Sequence, residues 1–211
     1  MNPQILILLI PVILLALSVH ELSHGLVAYR LGDPTAKNAG RLTLNPLSHL
    51  DPIGTLMLFL VHFGWAKPVP VDPRYFENPK RDMLWVALAG PGSNMALALV
   101  SGLVIRFINE YPELFLGSFV GGAFYVMMKL SLQINLALAI FNLLPVPPLD
   151  GSKILYGLLP PEYEYVAARL ERYGPTVLFS LVLFSMITKI PIFWIFIGPF
   201  IGFFSILFAG A

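Results

Sequence analysis

Ile5-Leu6-Ile7-Leu8-Leu9-Ile10-Pro11-Val12-Ile13-Leu14-Leu15-Ala16-Leu17-Ser18-Val19 runs without a charge into His20-Glu21-Leu22-Ser23-His24, and this junction decides the fold class. The run is apolar on every face, and with its continuation it spans about Gln4 to Leu31. That exceeds the roughly 20 residues a helix needs to cross about 30 Å of hydrocarbon. Within it, His20 and His24 stand at i and i+4, one turn apart on one helix face. Two imidazoles so placed can grip one metal ion, with Glu21 beside them as a candidate base for a metal-activated water. The alternative is a pair of histidines hydrogen-bonded inside a helix bundle. Carrying His, Glu and His into hydrocarbon costs on the order of several kcal/mol unless they are paired or functional, which favours the metal.

Composition agrees with a membrane setting. Of 211 residues, 57% are hydrophobic and only 12% are charged, against about 25% charged in soluble domains. Mean hydropathy is +0.77. The chain therefore reads as an all-α polytopic membrane protein, a bundle of about five to six transmembrane segments. One membrane-embedded domain over 1–211 is expected, with a core of about 4–160 and C-terminal membrane segments at about 176–208. A formal net charge of +1 points to no nucleic-acid partner. Cys is absent, so disulfides and thiolate ligands are excluded and any metal is held by nitrogen and oxygen. Met1-Asn2-Pro3-Gln4 lacks the positive start of a secretory signal, so the first helix is expected to be retained.

Further along, Thr43-Leu44-Asn45-Pro46 suggests a short strand into a turn, and Pro52 to Trp65 is too short for a span. A re-entrant or β-hairpin region is expected there. The prolines of Lys67-Pro68-Val69-Pro70-Val71-Asp72-Pro73 confine any strand to an edge or leave a rigid loop. Met83 to Phe107 is a second span, interrupted at Ala89-Gly90-Pro91-Gly92-Ser93-Asn94, where a kink or a close backbone approach is expected. Leu114 to Leu144 allows one tilted helix or a break near Gly121-Gly122. Its Lys129, Gln133 and Asn135 read as interhelical or water contacts. Pro161 to Gly174 is a charged helix, and Val177 to Thr188 and Pro191 to Phe208 are two further spans or a hairpin. His49 and His62 are expected to be loop or interface histidines.

Basic residues cluster in 30–82 and again in 145–176, whereas the 108–114 loop has none. The bias of Lys and Arg toward the cytoplasm then puts the N-terminus outside. The histidines fall in the inner half of the membrane, on the same side as Asp150. Asp150 lies in the turn Pro145-Val146-Pro147-Pro148-Leu149-Asp150-Gly151, where it is either a turn-forming Asp before Gly or a third ligand.

His20-Glu21-Leu22-Ser23-His24 in a membrane helix, followed by Asn142-Leu143-Leu144-Pro145-Val146-Pro147-Pro148-Leu149-Asp150-Gly151, resembles the site-2 protease family of intramembrane zinc metalloproteases. Gly64 to Val71 and Ala89 to Asn94 are similar to compact bacterial or archaeal members without a PDZ or CBS domain. The resemblance implies Zn2+ held by His20, His24 and Asp150, and Glu21 as catalytic base. It implies that Asn142 holds substrate backbone or an oxyanion, and that Asn94 helps to stabilise the transition state. It also implies that the segment 64–71 receives an unwound substrate as an added strand. The expected substrates are single-span proteins of the cell membrane, cut in the cytoplasmic half of the bilayer. A non-catalytic metal-binding or transport protein is the competing reading. Transporters carry polar ligands along a path, and here they gather at one point. A metallopeptidase with a Glu ligand would need a downstream E-x-x-x-D, and a serine protease a G-x-S-G, and neither stands in place.

Overall fold

A computed structural model describes residues 3–61 and 64–210; His62, and with it the expectation placed on it, lies outside these residues, as do Met1 and Asn2. In chain order the helices are α1 (Pro3–Arg30), α2 (Thr35–Asn38), α3 (Pro52–Val61), α4 (Pro79–Glu110), α5 (Pro112–Phe115), α6 (Phe119–Asn142), α7 (Asp150–Leu158), α8 (Glu164–Thr188) and α9 (Ile192–Ala209). Among the described residues there is no strand. Five helical segments are long and apolar enough to cross a membrane: Ile5–Arg30, Pro79–Glu110, Phe119–Asn142, Pro161–Thr188 and Ile192–Ala209. The chain is a multi-pass membrane protein. Helix is the local solution because hydrocarbon offers no partner for a free N–H or C=O.

α4 is the hub, packing against α1, α6, α7 and α9. Lipid is as apolar as leucine, so such helices associate through close packing of small residues rather than by excluding water. Ala16, Ala98 and Ala139 are accordingly fully buried, and Gly102 of α4 lets Phe208 of α9 lie directly on its backbone. Ala98, Ile105, Leu132, Leu136, Ile197 and Ile201 form the core between α4, α6 and α9. Large side chains such as Ile7, Phe119 and Phe203 point outward, as a lipid-facing surface requires.

Several expectations are corrected. Among the described residues no β-hairpin follows the first helix. The segment expected to be re-entrant is the ten-residue helix α3, about 15 Å long, bracketed by an antiparallel bridge between Leu50 and Ala66. Pro68, Pro70 and Pro73 have no N–H to extend that ladder, so it ends after Lys67 N–H donates to His49 O (2.9 Å). Thr43 to Pro46 is likewise no strand; Asn45 caps a 3₁₀ turn at Pro46–Ser48, its side chain accepting from Leu47 N–H. α4 runs unbroken through Gly90 and Pro91 for 32 residues. The break between Leu114 and Leu144 falls at 116–118, before Gly121, which packs on the Phe115 carbonyl. The charged segment from Pro161 and the apolar segment to Thr188 form one continuous candidate span, one of five among the described residues.

Candidate metal centre

His20, Glu21 and His24 lie on the inward face of α1, and all three side chains are buried. Asp150 opens α7 and arrives from the far end of the chain. Its Oδ2 lies 3.2 Å from His20 Nε2 and 3.2 Å from His24 Nε2. The two Nε2 atoms are themselves 3.0 Å apart. A tetrahedral ion with bonds of about 2.0–2.1 Å holds its ligand atoms about 3.3 Å apart, so this triangle has the right size.

The donor chemistry fits as well. His24 Nδ1–H donates to the Val86 carbonyl of α4 (2.7 Å), and His20 Nδ1 meets Asn94 Oδ1 at 2.6 Å. Neutral imidazoles bound in this way turn both Nε2 lone pairs toward one another and toward a carboxylate oxygen. Three electron-rich atoms facing inward at this range repel one another unless a cation lies among them. His20, His24 and Asp150 could hold a metal ion, each through one of these atoms.

Two glycines make the convergence possible. A Cβ on Gly90 would stand 2.6 Å from His20 Nε2 and would collide with His24 Nε2 as well. The bare backbone of α4 is the floor of the site. A Cβ on Gly151 would meet the carbonyl oxygens of Leu143 and Leu144 at the end of α6. Only glycine there lets α7 start against those carbonyls and present Asp150 to α1.

Glu21 is held from the other side. Its Oε2 accepts the Val69 N–H at 2.8 Å. Arg41 fixes the strap that carries Val69: its Nη2 donates to Lys67 O (2.7 Å) and its Nη1 to Pro68 O (3.2 Å). His49 is a structural histidine, donating through Nε2 to Thr43 O (2.8 Å) and lying 3.4 Å from Arg41 through Nδ1. Asp33 ties the strap's far end by accepting from Asp72 N–H at 2.8 Å. Within the segment expected to receive a substrate strand, Val69 N–H and the carbonyls of Lys67 and Pro68 are therefore bonded inside the protein.

The remaining expected site residues separate. Asn94 is fully buried; its Nδ2 hydrogens go to Ala16 O (3.2 Å) and Asn135 Oδ1 (2.8 Å). Both Nδ2 hydrogens of Asn94 are thus used within the protein, and its Oδ1 faces His20 Nδ1. Asn142, last residue of α6, is half-buried and donates from Nδ2 to Leu138 O at 3.0 Å. Among the described residues it bonds to no member of the metal cluster. Sequence reasoning missed Val86, whose carbonyl carries no residue-type signal, and Arg41. Val69 had a signal: it is the one N–H in Pro68-Val69-Pro70.

The pattern of the family described as "Peptidase family M50" matches residues 117–185. "Putative zinc metalloprotease YwhC" of Bacillus subtilis is 42% identical over 176 residues, 83% of this chain and 79% of that protein. "Putative zinc metalloprotease Rip2" of Mycobacterium tuberculosis is 32% identical over 177 residues, 81% of this chain but 64% of that longer protein. "Zinc metalloprotease MJ0392" of Methanocaldococcus jannaschii is 30% identical over 116 residues, covering 52% of this chain and 30% of its own. No solved structure matches the chain. With a match on the helices that deliver Asp150, and a relative aligned over most of both chains, the protein belongs to peptidase family M50, the site-2 protease family.

Proposed function

We propose that the chain is a zinc-dependent intramembrane endopeptidase that hydrolyses peptide bonds in the membrane helices of other proteins. The observation that carries this reading is the meeting of His20 Nε2, His24 Nε2 and Asp150 Oδ2 within 3.2 Å of one another, beside Glu21. The names of its relatives supply the metal. Held by His20, His24 and Asp150, zinc would lower the pKa of a water toward about 7 and would polarise the scissile carbonyl. Glu21 Oε2 is occupied by Val69 N–H, so Oε1 is the atom that takes the proton from the attacking water. Glu21 then returns that proton to the amide nitrogen as the C–N bond breaks, and one water is consumed for one acid and one amine. Asn142 keeps its second Nδ2 hydrogen for substrate backbone or an oxyanion, a donor worth about 3 kcal/mol in such sites.

A membrane helix shields its own peptide bonds, so the substrate must open locally at the cut. Single-span proteins of the cell membrane are the simplest class. The basic segments flanking the site support a position in the cytoplasmic half of the bilayer. α1, α4, α6 and α7 supply every residue of the centre, consistent with one metalloprotease domain.

The reading is tested with the full chain in vesicles containing a panel of single-span proteins. Cleavage within a span, lost on treatment with a zinc chelator and restored by added zinc, is the expected result. Cleavage indifferent to chelation sinks the zinc mechanism; bound zinc with no cleavage of any panel member favours the metal-binding or transport alternative. Arg41→Met offers a second check. It removes the fork that positions Val69 N–H, and a misplacement of about 1 Å costs on the order of 100-fold in rate. Cleavage should fall while bound zinc stays stoichiometric, as measured by metal analysis of the purified protein.

A further inference from the structure

We infer that Asn135, on α6 and out of hydrogen-bond reach of His20, His24 and Asp150, is a positioning residue for the metal centre. It acts through Asn94 to keep His20 in the tautomer whose Nε2 lone pair faces the ion. The inference rests on the proposed ligand role of His20.

The argument is one of hydrogen-bond polarity. An asparagine amide has a donor end and an acceptor end, and either could face a neighbour unless something fixes the choice. Backbone carbonyls fix it here, because they can only accept. Asn135 Nδ2 donates to Ser131 O at 2.9 Å, and also reaches Ser131 Oγ at 3.2 Å. Its Oδ1 must therefore face Asn94, where it accepts from Nδ2 at 2.8 Å. Asn94 places its other Nδ2 hydrogen on a second carbonyl, Ala16 O, at 3.2 Å. The atom left for His20 is Asn94 Oδ1, an acceptor, 2.6 Å from Nδ1. Nδ1 therefore carries the hydrogen and Nε2 carries the lone pair. A chain of defined direction runs from the backbone of α6, through α4, to a side chain of α1.

The surroundings permit no substitute. Asn94 and Asn135 are 0% and 1% exposed, so bulk water does not reach the pair. If Asn94 turned over, its Nδ2 would face His20 and hold a lone pair on Nδ1, placing the hydrogen on Nε2, where it blocks a metal. A carboxylate at position 94 would not have this ambiguity, since both of its oxygens accept.

Zinc affinity of the full purified chain, measured by competition with a chromophoric chelator, tests this. Outer-shell partners of ligand histidines typically contribute about 10–100-fold in metal affinity. Asn135→Leu should weaken zinc binding by roughly tenfold, since only Ala16 O would still orient Asn94. In an Asn94→Asp background the same Asn135→Leu change should not weaken zinc binding, because the carboxylate accepts from His20 whichever way it turns and Leu removes the acceptor Asn135 Oδ1 that would face it. A purely structural role of Asn135 in packing α4 against α6 predicts the same loss in both backgrounds, and that result overturns the inference. Unchanged affinity on Asn135→Leu alone also overturns it. Wild-type protein that binds no zinc would remove the underlying ligand reading and this one with it, a separate and recognisable outcome.

Discussion

Glu21→Gln is expected to retain stoichiometric zinc and to lose cleavage by about 10²–10⁴-fold, the usual contribution of a positioned general base. The two side chains have the same shape, so the packing of α1 is preserved. The substituted amide would keep an oxygen for Val69 N–H, which currently binds Glu21 Oε2 at 2.8 Å. That fixes the new NH2 at the Oε1 position, a donor where a proton acceptor is needed. His20, His24 and Asp150 are untouched, and their convergence does not pass through Glu21. Metal content by elemental analysis and product by gel, on the same preparation, give the answer. Loss of zinc together with activity would mean that Glu21 serves to anchor the Lys67–Asp72 strap, and the base would have to be sought elsewhere.

The geometry around Glu21 shows how the proline-rich stretch, which reads in sequence as an edge strand or a rigid loop, is held against α1. Pro68 and Pro70 leave Val69 as the single donor between them. An exposed edge would offer that N–H to a partner chain; here it is turned inward onto the carboxylate. The choice is made by Arg41, which is buried with no carboxylate partner among the described residues and places Nη1 and Nη2 on the carbonyls of Pro68 and Lys67, its Nε being left without a partner. Burying that guanidinium is costly unless it is hydrogen-bonded, so the strap and the arginine fix each other. Nothing in the order of residues announces such a pairing across 26 positions.

Side-chain chemistry at fixed spacing is legible in the sequence, and backbone chemistry is not. His20, Glu21 and His24 follow from helical period alone. Asp150 becomes a candidate through membrane sidedness and the Pro-rich turn and is singled out as a ligand by the family resemblance; the structure brings it to 3.2 Å from both histidines. The Val86 carbonyl could be supplied by any residue, so no pattern marks it, whereas the Val69 N–H is marked only by the prolines on either side of it. The C-terminal spans show a different limit. Gly174-Pro175 reads as a stop, yet α8 continues through it. Proline removes one hydrogen bond, whereas ending a helix inside hydrocarbon would leave several groups unsatisfied, so the helix continues. Gly174 meanwhile seats Pro147 of the turn that leads to Asp150. Asn94 shows a third limit: its residue type draws notice, but only the three-dimensional contacts reveal that both its Nδ2 hydrogens are used.

Gly90→Ala is expected to abolish zinc binding, with affinity falling by more than the roughly 100-fold that outer-shell partners contribute. The added methyl would lie 2.6 Å from both His20 Nε2 and Cε1, and closer still to His24 Nε2. Carbon and nitrogen atoms in contact need about 3.5 Å, so something must move by nearly 1 Å. The imidazoles have no room to yield, because Asn94 and the Val86 carbonyl hold their Nδ1 atoms at 2.6 and 2.7 Å. α4 cannot retreat without consequence either. Val86 lies one turn before Gly90 on the same helix, so displacing α4 withdraws the acceptor that orients His24. Local stability works in the opposite direction: alanine favours helix over glycine by about 1 kcal/mol, so the variant should fold with its spans intact. Gly92→Ala is the matched control, two residues along α4 with nothing within 4 Å of the new methyl, and it should bind zinc as the parent does. If both variants bind zinc equally, the metal is held away from His20 and His24, and the proposed centre is wrong. Loss in Gly90→Ala alone ties the ion to the place where the two histidines rest on a bare stretch of α4.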